Sequence, residues 1–223
     1  MTLTQTPARR LVGSRHGGIL TAATLLLGAG TAWAVARSRP TFADVLEPAQ
    51  LAVSVLVPFF GVLAVTDLHR PQTADRRLAP RLLVAVGLAV GFSLAATLLA
   101  AAATAWTDGP WPPAPRAAAL VTGAILVQVI AQLTGTGWGL LIRRPVAAMA
   151  ATIVAPMATT ALLSMIDPGG RLVRRLTPYG NARSLLAGTP TPKTLAALCV
   201  VTLLWCLIPN LLGTHKTNPR TPR

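Results

Sequence analysis

Apolar segments without charge alternate along this chain with short segments that carry every charged residue. Six segments of 18 to 26 residues lack Asp, Glu, Lys and Arg: residues 17–36, 49–66, 82–106, 117–142, 145–166 and 195–213. At about 1.5 Å of rise per residue, each is long enough to cross a hydrocarbon layer of about 30 Å as an α-helix. The pattern therefore predicts an all-α, polytopic membrane protein with six transmembrane helices, which form a single transmembrane domain over residues 1–223.

The composition supports the same class of protein. Only 12% of the residues are charged, about half of the roughly 25% found in soluble domains. A net charge of +14 raises the question of a nucleic-acid partner, but the basic residues are divided among short segments without interleaved aromatic residues. A nucleic-acid surface needs a continuous basic patch or stripe. We therefore expect the basic residues to face the headgroups of anionic membrane lipids and expect no nucleic acid.

The distribution of basic residues predicts the orientation. If the N-terminus is cytoplasmic, the inside segments hold 12 Lys and Arg residues and the outside segments hold 8, five of which lie in residues 167–194. The positive-inside rule then favours N- and C-termini on the cytoplasmic side of the cell membrane. A cleaved signal peptide is the competing interpretation of the first span. However, its uncharged segment is longer than the 7–15 apolar residues usual in a signal, and five spans follow it.

The spans contain no ionisable side chain that could support autonomous catalysis. His16, His69 and His215 all lie in flanking segments, with no spacing typical of a metal site or a catalytic triad. The two lysines, Lys193 and Lys216, follow Pro and His, so neither belongs to a G-x-x-x-x-G-K-[ST] phosphate-binding loop. We expect no enzyme activity, metal or cofactor in this chain, and any ATP hydrolysis to come from a partner subunit.

Two patterns inside the spans suggest helix contacts or a polar path. Gln128 and Gln132 are four residues apart and share one face of the fourth span. They fit either hydrogen bonds between helices or the polar lining of a substrate pathway. Gly135 and Gly139 on the same helix form a G-x-x-x-G pattern, as do Gly87 and Gly91 on the third span, and this pattern predicts close helix packing.

Prolines interrupt three of the predicted spans. Pro58, Pro156 and Pro209 each fall inside an apolar segment. A proline within a helix removes one backbone hydrogen bond and kinks the helix. The kinks are consistent with either a moving part or a fixed bend.

Two connecting segments have distinctive compositions. Residues 67–81 hold four Arg and two Asp, which fits a solvated loop or the docking site of a soluble partner. In residues 171–176 the apolar side chains share one helical face and the arginines share the other. This pattern predicts an interfacial helix in the headgroup plane. A segment that dips back into the membrane here would account for the basic residues on the outer side.

Three stretches resemble one family of membrane proteins. They are Leu-Val-Pro-Phe-Phe-Gly-Val-Leu-Ala-Val-Thr-Asp-Leu-His-Arg at residues 56–70 with Thr-Ala-Asp at 73–75, Gly-Trp-Gly-Leu-Leu-Ile-Arg-Arg-Pro-Val-Ala-Ala at 137–148, and Leu-Thr-Pro-Tyr-Gly-Asn-Ala-Arg-Ser-Leu-Leu-Ala-Gly at 176–188. With six predicted spans, the chain resembles the membrane (permease) subunits of ATP-binding-cassette (ABC) exporters of the type-2 class, in their compact actinobacterial form.

The resemblance implies a permease that forms the substrate pathway as a homodimer or heterodimer and is driven by separate ABC-type ATPase subunits. It places an amphipathic helix at residues 9–16, a cytoplasmic coupling segment at 67–81 and re-entrant extracellular helices at 167–188. The implied coupling residues are Asp67, His69, Arg70, Thr73, Arg76 and Arg77. The implied extracellular residues include Thr177, Pro178, Tyr179 and Gly180. The alternative function is a non-transporting membrane scaffold or accessory protein.

Overall fold

Six long helices form the bundle. The computed structural model describes residues 14–38, 40–66, 68, 78–188 and 191–217, and within these ranges it is helical and contains no strand. Six of its helices are long and apolar enough to span a membrane. The predicted fold class, an all-α multi-pass membrane protein, is confirmed.

The first five spans are single helices, and the sixth is interrupted by a π-helical turn. The spans are α1 (Arg15–Ala36), α2 (Phe42–Thr66), α3 (Leu78–Trp106), α4 (Ala114–Leu141) and α5 (Pro145–Ile166). Two short helices follow, α6 (Arg171–Leu176) and α7 (Pro178–Leu186). The sixth span consists of α8 (Pro192–Val201), the π-helical turn Thr202–Leu207 and α9 (Ile208–Thr217).

The second span begins seven residues before the uncharged segment that predicted it. Thr41 precedes the helix, and the Asp44 carboxylate accepts hydrogen bonds from the Thr41 N–H at 3.0 Å and from the Thr41 hydroxyl at 2.7 Å. A polar residue before a helix and an acidic residue in its first turn stabilise the helix start. An uncharged segment predicts only the apolar part of a helix. It therefore does not include a first turn that is capped by polar and acidic residues.

The described part of the predicted amphipathic helix, residues 14–16, is continuous with the first span. Ser14 caps α1, because its hydroxyl accepts a hydrogen bond from the Gly17 N–H at 3.1 Å. Residues 15–16 therefore belong to the first span, and residues 9–13 of the predicted amphipathic helix lie outside the described residues.

Helices α2 and α4 lie parallel at the centre of the bundle. A Cβ atom added to Gly61 would lie 2.8 Å from the Thr136 backbone nitrogen, and one added to Gly139 would lie 2.9 Å from Val62 Cα. Such close approach of two backbones requires glycine. Helix α5 is the least enclosed span, since only Ala148 and Thr152 are buried along its length.

Aromatic side chains gather at the end of the bundle where α1 meets α2 and where α3 meets α4. Trp33 and Trp106 have ring centroids 6.3 Å apart, and Phe42 stacks on Trp111 at 5.2 Å. Tryptophan is enriched where a membrane protein meets the headgroup layer. The arrangement fits a membrane interface at this level.

Candidate functional site

A buried hydrogen-bond network joins the three central helices α2, α3 and α4. The Gln128 side-chain nitrogen donates to the Gln50 backbone carbonyl at 2.8 Å and to Gln50 Oε1 at 2.9 Å. The Gln50 side-chain nitrogen donates in turn to the Ser93 carbonyl at 2.9 Å and to the Thr97 hydroxyl at 3.1 Å. Both glutamines are fully buried. Gln50 was missed from the sequence, because a single amide in an apolar segment forms no motif.

Gln132 inserts its amide into the backbone of α2 at the turn that contains Pro58. In the orientation that satisfies both amide atoms, its nitrogen donates to the Val57 carbonyl and its oxygen accepts from the Gly61 N–H at 3.1 Å. Val57 and Gly61 are the i and i+4 partners of one helical turn. Gln132 therefore stabilises the backbone at the turn where proline removes a donor.

The two G-x-x-x-G patterns differ in their surroundings. A Cβ added to Gly135 would collide with the Pro58 carbonyl, and one added to Gly139 would meet Val62 and Val65. A Cβ added to Gly87 or to Gly91 has no atom within 4 Å among the described residues. Gln128, Gln132, Gly135 and Gly139 thus all lie at contacts between helices, and none of the four lines the cavity described next.

A cavity of about 500 Å³ lies between α2, α4, α5 and the short helix α7. Its lining is predominantly apolar and consists of Leu51, Ser54, Val55, Pro58, Val127, Ile130, Ala131, Thr134, Thr152, Ile153, Pro156, Met157, Thr160, Ala161, Pro178, Tyr179, Asn181, Ala182 and Leu185. Among the described residues, no Asp, Glu, Lys, Arg or His contributes to this lining. The volume of the cavity and its apolar lining are typical of a binding site for a small apolar molecule.

Three hydroxyl groups of the cavity lining are already satisfied within their own helices. Ser54 donates to the Leu51 carbonyl at 2.7 Å, Thr134 to the Ile130 carbonyl at 2.8 Å, and Thr152 to the Met149 carbonyl at 2.7 Å. These hydroxyls add little polarity to the cavity, because their protons point back to the helix backbone. The wall therefore favours apolar groups.

The predicted extracellular residues form the junction between α6 and α7 and the first turn of α7. The Thr177 hydroxyl accepts from the Gly180 N–H at 3.2 Å and donates to the Val173 carbonyl at 2.7 Å. A Cβ on Gly180 would lie 2.8 Å from Arg174 Cα, so the close turn requires glycine here. Pro178 and Tyr179 line the cavity. This turn thus brings residues from a connecting segment into contact with the centre of the bundle.

Two contacts hold the short helices against the spans. The Arg183 guanidinium donates to the Glu47 carboxylate of α2 at 2.9 Å, and this hydrogen bond raises the pKa of Arg183 above its ordinary value. The Trp205 indole N–H donates to the Leu176 carbonyl at 2.9 Å. Trp205 lies in the middle of the sixth span, so the end of α6 lies beside the body of the bundle. That this segment re-enters the bilayer stays a prediction.

An ionised carboxylate closes the connection between α5 and α6. Asp167 accepts hydrogen bonds from the Leu172 N–H at 2.9 Å and from the Gly169 N–H at 3.1 Å. The hydrogen bond from Leu172 is the main reason why the pKa of Asp167 is lowered below its ordinary value. The connection is therefore tightest with Asp167 ionised.

A second polar contact that was missed from the sequence fixes the sixth span. The Asn210 side-chain nitrogen donates to the Leu133 carbonyl at 2.9 Å, and its oxygen accepts from the Thr136 hydroxyl at 2.9 Å. The π-helical turn ends at Leu207, two residues before Pro209, where the helix lacks a donor. The Asn210 side-chain nitrogen also donates to the Cys206 carbonyl at 2.8 Å, so Asn210 supplies a donor to its own helix in this region and joins that helix to α4.

The predicted coupling residues lie outside the described residues: Asp67, His69, Arg70, Thr73, Arg76 and Arg77. Around them, Leu68 is buried and the Arg81 guanidinium donates to the Ala64 carbonyl at 3.2 Å. This bond draws the start of α3 to the end of α2. The described part of the chain contains no group of three His, Cys, Asp or Glu side chains that could hold a metal ion.

Comparisons of the chain with protein families, with curated proteins and with solved structures find no match. The described residues define a multi-pass membrane protein with an apolar cavity between its helices.

Proposed function

We propose that this chain is the permease subunit of an ABC exporter, which forms the substrate pathway as a homodimer or heterodimer and is driven by separate ATPase subunits. The observation that carries the proposal is the cavity of about 500 Å³ between α2, α4, α5 and α7. The cavity opens toward the surface of the bundle, because Val55, Met157 and Tyr179 of its lining are exposed. A cavity this large favours a protein that accepts a ligand over one that only holds partners together.

The loose packing of α5 gives the cavity a wall that can move. Only Ala148 and Thr152 of this span are buried, and Pro156 interrupts it beside the cavity. A helix with few buried side chains separates from its neighbours at low cost. Pro156 removes one backbone hydrogen bond in the same region. These features support alternating access of the cavity by displacement of α5.

The energy source must lie outside this chain. Its sequence has no phosphate-binding loop, and the described residues of the cavity wall include no acidic or basic side chain that could couple to an ion gradient. Residues 67–81, with four arginines and two aspartates, are the most charged connection and the candidate ATPase contact. The resemblance of residues 56–75 to a coupling segment supports this assignment. On this account both termini and residues 67–81 face the cytoplasm from the cell membrane.

Co-purification tests the proposal. The chain would be co-expressed with an ABC-type ATPase encoded beside it in its genome, extracted in detergent and purified through a tag on the permease. We expect a stable complex whose ATP hydrolysis rises with some members of a panel of apolar compounds. Failure to form a complex with any such neighbour would refute the permease assignment. A complex whose hydrolysis no compound changes would favour the scaffold function instead.

A further inference from the structure

One side chain of the cavity lining has polar atoms without partners. Asn181 on α7 is 1% exposed, and neither its side-chain nitrogen nor its side-chain oxygen has a hydrogen-bond partner among the described residues. The buried amides of Gln50 and Gln128 donate hydrogen bonds across helices, although Gln128 Oε1 also lacks a partner among the described residues. A buried amide without partners is costly, because it has lost water and gained nothing in exchange.

The position of Asn181 explains what such an amide can do. Asn181 belongs to the cavity lining, to which α2 and α5 contribute mainly apolar side chains. The hydroxyls of Ser54, Thr134 and Thr152 donate to their own helices and so have no proton to offer a ligand. Thr160 and Tyr179 also line the cavity, but neither residue is buried. Asn181 is thus the buried lining residue whose donor and acceptor both lack partners among the described residues, and it would reach a ligand by turning its side chain toward the cavity.

We propose that the cavity binds a neutral amphiphile, and that Asn181 recognises its polar group. An amide side chain offers both N–H donors and a carbonyl acceptor. It therefore pairs best with a group that also donates and accepts, such as a primary amide, a hydroxyl or an undissociated carboxyl group. The apolar remainder of the ligand fits the aliphatic walls. A charged ligand is excluded, since the lining provides no counter-charge.

Photolabelling of the purified full-length chain in nanodiscs tests the site. The probe is hexadecanamide with a diazirine in its chain, and the control probe is its N,N-dimethyl amide, which lacks the donor. We expect saturable labelling of cavity residues, with the half-saturating concentration about tenfold higher for the control probe or for the Asn181→Leu variant. Ser184→Ala is the matched variant, because Ser184 lies on the same helix α7 but outside the cavity lining, and its hydroxyl donates to the Gly180 carbonyl of that helix. This variant should leave the half-saturating concentration of the probe within about twofold of the wild-type value.

Thermal stability without the probe gives a second readout that does not depend on binding. Asn181→Leu removes an unpartnered buried amide, so it should raise the unfolding temperature of the ligand-free chain and abolish the further rise caused by the probe. Equal labelling of wild type and Asn181→Leu, or a lower unfolding temperature in that variant, would overturn the proposal.

Identification of this ligand with the transported substrate rests on the proposed function, but the binding itself does not. Both measurements use the chain without any ATPase. Asn181→Leu should still co-purify with an ATPase partner like wild type. A failed labelling experiment beside a stable complex would therefore refute the cavity site alone, whereas specific labelling without any complex would refute the permease assignment alone.

Discussion

The side-chain nitrogen of Gln128 on α4 lies 2.9 Å from the side-chain oxygen of Gln50 on α2. Both residues are fully buried, and the Gln50 nitrogen continues the chain of hydrogen bonds to α3. Gln128, which the sequence allowed as part of a polar path for substrate, thus joins the central helices. The relationship explains why two polar residues are tolerated in apolar spans.

Removal of one amide from this pair should destabilise the bundle. Gln128→Leu leaves Gln50 Oε1 without its donor, and we expect a loss of about 1 kcal/mol, in line with hydrogen bonds between membrane helices. Thermal unfolding in detergent, followed by tryptophan fluorescence, measures the change. Ser93→Ala is the control, because the Ser93 hydroxyl has no partner while its carbonyl, the acceptor for Gln50, is retained. A Gln128→Leu protein as stable as Ser93→Ala would show that the pair contributes nothing.

The two G-x-x-x-G patterns give a matched pair of substitutions. Gly135→Ala places a methyl group against the Pro58 carbonyl, so α2 and α4 must separate, and we expect a loss of about 1–3 kcal/mol. Gly87→Ala meets no atom within 4 Å and should be neutral or stabilising, since alanine favours helix more than glycine does. Thermal unfolding of both variants in the same detergent distinguishes them. Equal effects would contradict the packing described for α2 and α4.

Cysteine labelling checks the orientation. In a background without Cys199 and Cys206, single cysteines at Asp44 and Asp108 should react with a membrane-impermeant maleimide added to intact cells, because both positions are exposed at the predicted outer end. A cysteine at His215 should react only after the cells are opened. The reverse pattern would place residues 67–81 outside and would remove them as a contact for a cytoplasmic ATPase.

The connection between α5 and α6 should lose stability in acid. The pKa of Asp167 is lowered in the folded state, so its stabilisation is present above the ordinary value of 3.8 and is lost as the pH falls through the folded pKa. Hydrogen exchange of the Leu172 N–H should therefore be slower in wild type than in Asp167→Asn at neutral pH. The exchange rates of wild type and Asp167→Asn should converge in acid, after correction for the intrinsic rate of amide exchange at each pH. A constant difference across this range would exclude the carboxylate as the cause.

The sequence was sufficient to predict the number of spans, because six uncharged segments long enough to cross a bilayer leave few alternatives. It predicted the close packing at Gly135, but it could not distinguish that pattern from Gly87, whose surroundings depend on which helices are neighbours. Asn181 was not predicted as a site residue for the same reason. Its single amide forms no motif, and its significance depends on a cavity that only the assembled bundle creates.

Charge reversal in residues 67–81 tests the central claim most directly. Single exposed ion pairs contribute only about 0–1 kcal/mol, so Arg70, Arg76 and Arg77 are all changed to Glu in one variant. The matched control changes Arg171, Arg174 and Arg175 to Glu, which is the same change of charge on the exposed surface of α6. Gel filtration in detergent and the cysteine labelling above verify that both variants fold and insert like wild type.

The measurement is the amount of ABC-type ATPase that co-purifies with each tagged chain, together with its rate of ATP hydrolysis. We predict that the variant with Glu at positions 70, 76 and 77 loses the ATPase, while the α6 variant retains it at the wild-type level. A folded 70/76/77 variant that still binds and stimulates the ATPase like wild type would contradict the account.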